Sequence, residues 1–165
     1  MDCEWFVKST KKEKNDCSDR YIWTDKDTLP NKKFVKNDKR FERSGNFMKN
    51  FFDIQPALNY GYANPNPKNS WEQAVTAPGP QKNRAELFKI VDYWMAMGVA
   101  GFRVDMAASL IKNDPGFVET NKLWRELRAK MQAKYPEGIL LSEWGNPTEA
   151  ISAGYTMDFM VQLGN

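Results

Sequence analysis

The second half of this 165-residue chain predicts an α/β fold of parallel strands, and three observations carry that prediction. Helix-spaced apolar runs alternate with short strands, the joins between them are brief, and the strands are apolar almost throughout, as parallel strands held between covering layers are. Residues 1 to about 80 behave differently: they show no sustained period and are rich in Lys, Asn, Asp and Pro, with short patches such as RYIWTD and NFFDIQPALNYGYANPNP. So long an irregular stretch beside a compact domain marks a functional excursion. The sequence thus divides into an irregular region, 1–80, and a helix–strand region, 81–165.

Each element of the second region has a local reason. Asn83 followed by Glu86 makes a plausible helix start, the amide capping free N–H groups and the acid reaching back. Leu87, Ile90, Val91, Trp94 and Met97 then form an apolar stripe at helical spacing, and Gly98 suits the left-handed residue that ends a helix. A strand follows over Gly101–Met106, where Phe102, Val104 and Met106 alternate with Arg103 and Asp105. Alternation puts the guanidinium and the carboxylate on one face. The next helix spans roughly Thr120–Lys134, with Leu123, Leu127 and Met131 four apart, Trp124 beside them, and Pro136 and Gly138 ending it. ILLSEW, Ile139 to Trp144, is a second strand that ends in a carboxylate; PTEAISAG gives a helical turn and YTMDFMV a third strand.

Composition narrows the chemistry. The chain is 41% apolar and 27% charged, with a net charge of +3, too small to argue for a nucleic-acid partner. The run KSTKKEK, Lys8 to Lys14, reads as a solvated loop. No apolar stretch approaches the roughly 20 residues of a membrane span, no signal-peptide pattern opens the chain, and nothing assigns a compartment. Cys3 and Cys17 can close a small loop, but one pair does not fix the redox environment. The chain has no histidine, so within it a histidine triad, a histidine base and an imidazole metal site are excluded. Chemistry here rests on carboxylates. Aromatic residues make up 13% of the chain, and many fall in loop-like sequence: Trp5, Phe6, Tyr21, Trp23, Tyr60, Tyr62, Trp71 and Trp144. They serve either as stacking platforms for a ligand or simply to bury irregular segments.

Asp105 lies at the carboxyl end of one parallel strand and Glu143, 38 positions on, at the end of the next. In β/α barrels and open parallel sheets that edge is where ligands bind. Two converging carboxylates suit glycoside hydrolysis, one as nucleophile or base and one as general acid, with Arg103 holding Asp105 ionised. The competing reading is a buried Arg–Asp pair beside an unrelated strand-end Glu.

The sequence around the acids is more specific. GFRVDMAAS resembles the fourth-strand motif of the α-amylase superfamily, glycoside hydrolase family 13, in which the Asp is the nucleophile and the Arg precedes it. LLSEWGNP resembles the fifth-strand motif, whose Glu is the acid/base, and IQPALNYGYANP, Ile54 to Pro65, is similar to the motif near the end of the domain inserted after strand three. Its Gln-Pro-x-Leu-Asn form is like that of the oligo-1,6-glucosidase and α-glucosidase branch, and CEWFVKS and RYIWTD look like the opening of the same insert. The resemblance implies a partial (β/α)8 barrel over 81–165, about strands four to six, preceded by the inserted domain. It implies a retaining α-glycoside hydrolase acting on an oligosaccharide or disaccharide, with Asp105 as nucleophile, Glu143 as acid/base, and Arg103, Gln55, Asn59, Tyr60 and Trp144 binding substrate or supporting the site.

The chain also departs from the family. The Asn-His motif of strand three and the His-Asp motif of strand seven, with the third catalytic acid, have no counterpart, so the rest of the barrel is expected from flanking sequence and the free chain is expected to be inactive. Ala108 and Ser109 stand where amylases often carry Lys-His, Ala57 replaces a frequent Asp, and Cys3 sits where relatives commonly show His. No metal site is expected; calcium occurs in parts of the family, but its ligands are not traceable here. The alternatives are a glucosyltransferase, sucrose isomerase or trehalose synthase on the same site, a non-catalytic family relative, and a stand-alone sugar-binding module.

Overall fold

The structure, a computed structural model, describes residues 2–159. The chain forms two compact units, Met1–Asn83 and Arg84–Asn165.

The first unit is held by aromatic packing more than by regular structure. A short helix, α1 (Glu4–Ser9), opens it where the sequence pattern predicts none. Six residues are too few for an apolar period to show, and a Lys8–Glu4 ion pair at 2.7 Å spans the one turn. Phe6 projects from α1 into a cluster with Tyr21, Trp23, Val35 and Phe47, edge-on to Tyr21 at 5.2 Å and to Phe47 at 5.4 Å. The two-residue strands β1 (Phe34–Val35) and β2 (Phe47–Met48) pair antiparallel. A second cluster gathers Ile22, Phe34, Met48, Tyr62 and Trp71. Most of the loop aromatics therefore bury irregular chain, which supplies the apolar area that the missing strands and helices would otherwise provide. Cys3 is exposed and Cys17 buried, both as free thiols, so the small loop is not closed by a disulfide.

Asn83 is not a helix cap. Helix α2 (Pro78–Ala96) begins five residues earlier, where Pro78 and Pro80 lack N–H groups that a first turn leaves unpaired anyway. Inside the helix, the buried Asn83 side chain donates to the carbonyls of Arg20 (2.8 Å) and Asn59 (2.9 Å) and accepts from the Arg20 guanidinium (3.2 Å). It ties irregular backbone that has no ladder of its own.

In the second unit, strands β3 (Gly101–Val104), β4 (Ile139–Glu143) and β5 (Met157–Phe159) form a parallel sheet in that order. Gly101 lies opposite Ile139 and Val104 opposite Ser142. A Cβ on Gly101 would stand 2.2 Å from the Ile139 carbonyl oxygen, so only glycine lets the strands close here. Helix α3 (Val118–Lys134) buries Leu123, Trp124, Leu127 and Met131, and the Trp124 indole donates to the Ala107 carbonyl at 3.0 Å. Helix α4 (Pro147–Ser152) is capped by the Asn146 side chain. The third strand falls where YTMDFMV predicts it, with Met160 and Val161 outside the described residues.

The buried stripe of α2 is rotated from the one read in the sequence. Val91 and Met95 are buried, with Leu87 and Phe88 packed beside them, while Ile90, Tyr93, Trp94 and Met97 are exposed. The helix carries apolar residues on two faces, and the stripe read from spacing straddles both: Leu87 and Val91 face the core, Ile90 and Trp94 do not. Gly98 ends it in left-handed conformation at φ 95°. The sheet is likewise covered on one face: Leu140 and Ser142 are fully buried, whereas Ile139 is exposed. No helix among the described residues is long and apolar enough to cross a membrane.

Candidate active site

The parallel register sets the site. Val104 and Ser142 are partners, so the next residues, Asp105 and Glu143, leave adjacent strands at the same sheet edge. The strand ends one residue before Asp105, not at Met106. Met106 turns into the left-handed region at φ 46°, at a cost of about 1–2 kcal/mol for a residue with a side chain. It is therefore exposed and does not join Phe102 and Val104 in packing on the core. The turn instead aims its N–H at the Glu143 Oε2, 3.1 Å away.

Arg103 joins both acids. One guanidinium nitrogen, Nη1, pairs with Asp105 Oδ1 and the other, Nη2, with Glu143 Oε1 at 2.9 Å. The guanidinium carbon stands 5.4 Å from the centre of the Phe159 ring, a cation–π contact that steadies it from a third side. Side-chain exposures of 66% for Asp105, 45% for Arg103 and 21% for Glu143 rule out a buried charge pair. The Asp105 carboxyl is held below the usual carboxylate range, first by a hydrogen bond from Glu143 and then by the Arg103 guanidinium.

Trp144 follows Glu143 directly. Half-buried, it packs edge-on against Phe117 at 5.1 Å and Tyr155 at 6.3 Å. The remaining predicted site residues belong to the first unit. Gln55 is exposed and its side-chain carbonyl accepts the Phe52 N–H at 3.1 Å, which closes a turn. Asn59 is buried, accepts from the Gly61 N–H at 3.0 Å and donates to the Asp19 carbonyl and the Gln73 side chain, each at 3.2 Å. Its amide is committed to the fold. It also borders a cavity of about 390 Å³ shared with Tyr21, Trp23, Asp25, Arg43 and Trp71. Tyr60 is half-buried, and burial pushes its hydroxyl up to about 12. Among the described residues no group of three or more acidic or thiol side chains is placed to hold a metal ion.

Reading the sequence missed two contributors. The Met106 N–H carries no side-chain signal at all. Asp158, a lone acid inside an apolar strand pattern, was a visible anomaly that YTMDFMV as a strand left unexplained.

The arginine-bridged carboxyl pair thus lies at the carboxyl edge of a parallel α/β sheet, the edge at which β/α barrels bind ligands. No protein-family model matches the chain. α-Amylase 3 of Dictyoglomus thermophilum is 27% identical over 145 residues, which cover 86% of this chain and 24% of that protein. Among solved structures, a family GH13_31 enzyme superposes with a TM-score of 0.72 at 14% identity, over 98% of this chain and 33% of its own. A trehalulose synthase gives 0.69 at 22% identity, over 97% and 31%. The trehalose-6-phosphate hydrolase of Bacillus licheniformis gives 0.64 at 15%, over 94% and 30%. The chain therefore spans about a quarter of the curated relative. The chain is similar to an α-amylase in sequence and to glycoside hydrolase family 13 enzymes in fold, and its parallel sheet is consistent with part of a β/α barrel.

Proposed function

We propose that this chain carries the catalytic carboxyl pair of a retaining α-glycoside hydrolase of the oligo-1,6-glucosidase and α-glucosidase type, on strands four to six of the barrel. Asp105 attacks the anomeric carbon and forms a glycosyl-enzyme ester. Glu143 protonates the departing glycosidic oxygen and then takes a proton from the water that hydrolyses the ester, with the α-anomer retained. Arg103 keeps Asp105 ionised and oriented. The observation that carries this reading is the single guanidinium bridging both acids at the strand ends. Retaining enzymes hold their two carboxyl groups about 5–5.5 Å apart, whereas inverting enzymes separate theirs by about 6.5–9.5 Å. The substrate is an oligosaccharide or disaccharide α-glucoside. Transfer to a sugar acceptor instead of water, as in a glucosyltransferase or isomerase, uses the same two acids, and product analysis with a disaccharide separates the outcomes.

Glu143→Gln tests the assignment, in a protein that carries this segment within a complete barrel. Without the acid, maltose cleavage should fall by about two to four powers of ten, while glycosylation by an activated aryl α-glucoside survives. Deglycosylation then stalls, and azide, which needs no base, restores turnover with an α-glycosyl azide as product. Equal loss on both substrates with no azide rescue would remove Glu143 from the acid/base role.

A further inference from the structure

We propose that Asp158 is a positioning residue for Glu143, gripping the residues on either side of it and so fixing where the acid leaves its strand. The inference rests on the reading of Glu143 as the acid/base.

Asp158 lies on β5 directly opposite Ser142. Its Oδ1 accepts two hydrogen bonds, one from the Ser142 hydroxyl at 2.6 Å and one from the Trp144 N–H at 3.0 Å. Glu143 is the residue between those two donors. Strand β4 stops at Glu143, so the Trp144 N–H is the first that lies beyond the strand, and the Asp158 carboxylate takes the place of a ladder carbonyl there. Side chains alternate along a strand: Ser142, fully buried, points to the core side, and Glu143 leaves on the other. Fixing 142 and 144 from behind therefore fixes 143 without touching the face on which Glu143 meets Arg103 and the Met106 N–H.

Holding the two donors carries a local cost. Asp158 Oδ2 is buried with no hydrogen-bond partner among the described residues, and the buried Tyr155 hydroxyl has none either. Tyr155 is driven away from ionisation by burial and then by the negative charge of Asp158. An unsatisfied buried carboxylate oxygen is destabilising, and an Asn would supply the same accepting oxygen without the charge.

The test is amide hydrogen exchange by NMR on the 165-residue chain, read at Met106, whose N–H is bonded to Glu143 and makes no contact with Asp158. In Asp158→Ala, Met106 exchange should rise about tenfold, the factor that loss of one net hydrogen bond gives, approaching the rate in Glu143→Ala. In Asp158→Asn it should stay near wild type, because the acceptor is kept. Trp144 exchange rises in Asp158→Ala under any role for Asp158 and decides nothing alone. Unchanged Met106 exchange in a folded Asp158→Ala chain overturns the proposal. If that variant does not fold, Ser142→Ala, which removes one of the two bonds, decides: a rise of about threefold at Met106 supports positioning and no rise overturns it. Failure of the acid/base reading shows elsewhere, as missing azide rescue in Glu143→Gln with the exchange result intact.

Discussion

Arg103 holds two carboxyl groups with one side chain, using separate guanidinium nitrogens for Asp105 and Glu143. A planar fork can do this because its donors diverge at fixed angles; an ammonium is a single point that serves one acid well or both badly. Arg103→Lys should therefore lower kcat/KM by about ten- to a hundredfold although charge is conserved, corresponding to roughly 1.4–3 kcal/mol of lost transition-state stabilisation. Kinetics within a factor of about two of wild type would reduce Arg103 to a general counter-charge. Arg103, Asp105 and Glu143 were all legible in the sequence, since strand alternation and strand ends place them. The Met106 N–H was not, because a left-handed turn at a methionine leaves no trace in composition or spacing.

Elements whose signals are local were easiest to read. Leu123, Leu127 and Met131 are four apart and all buried, so α3 and its inner face follow from one period. The start of α3 is a different matter. Asp114 reaches across a 3-10 turn, Pro115–Phe117, to accept the N–H groups of Glu119 (3.2 Å) and Thr120 (2.7 Å) and the Thr120 hydroxyl (2.8 Å). Those bonds satisfy free donors of the first turn. Asp114→Ala should cost about 1–2 kcal/mol, seen as a lower urea midpoint at unchanged slope; no shift would mean that water serves the turn equally well. Asn83 shows the opposite failure. Its Asn-x-x-Glu spacing imitates a cap, yet Pro78 had already opened the helix, and its true partners, Arg20 and Asn59, lie far away in sequence.

At the scale of the molecule, what the sequence could not convey is how much surface is left for other chain to cover. The first unit compensates for sparse regular structure by burying aromatic rings, and that choice has a pH signature. Burial raises the Tyr60 hydroxyl from its ordinary 10 to about 12, and the Tyr21 and Tyr62 hydroxyls are raised as well. A group raised on folding contributes stability that is whole below its unfolded value and lost as pH climbs through the folded one. From neutral pH, the tyrosine contribution to the urea midpoint should therefore be flat up to about pH 10 and fall between there and about 12, with phenolate absorbance at these rings appearing together with unfolding. Phenolate formation by Tyr60 near pH 10 in a chain that is still folded would show the ring to be solvated. On the second unit, α2 leaves Ile90, Tyr93, Trp94 and Met97 facing solvent. Of the six tryptophans, Trp94 is the most exposed, at 46%, against three buried and two half-buried. The bare face therefore comes with its own optical label. Dissolved iodide should quench the long-wavelength edge of the emission through Trp94 and spare the rest. Any polypeptide that settles on that face will shift this emission to the blue and shield it, so the covering of α2 can be followed in solution without attaching a dye.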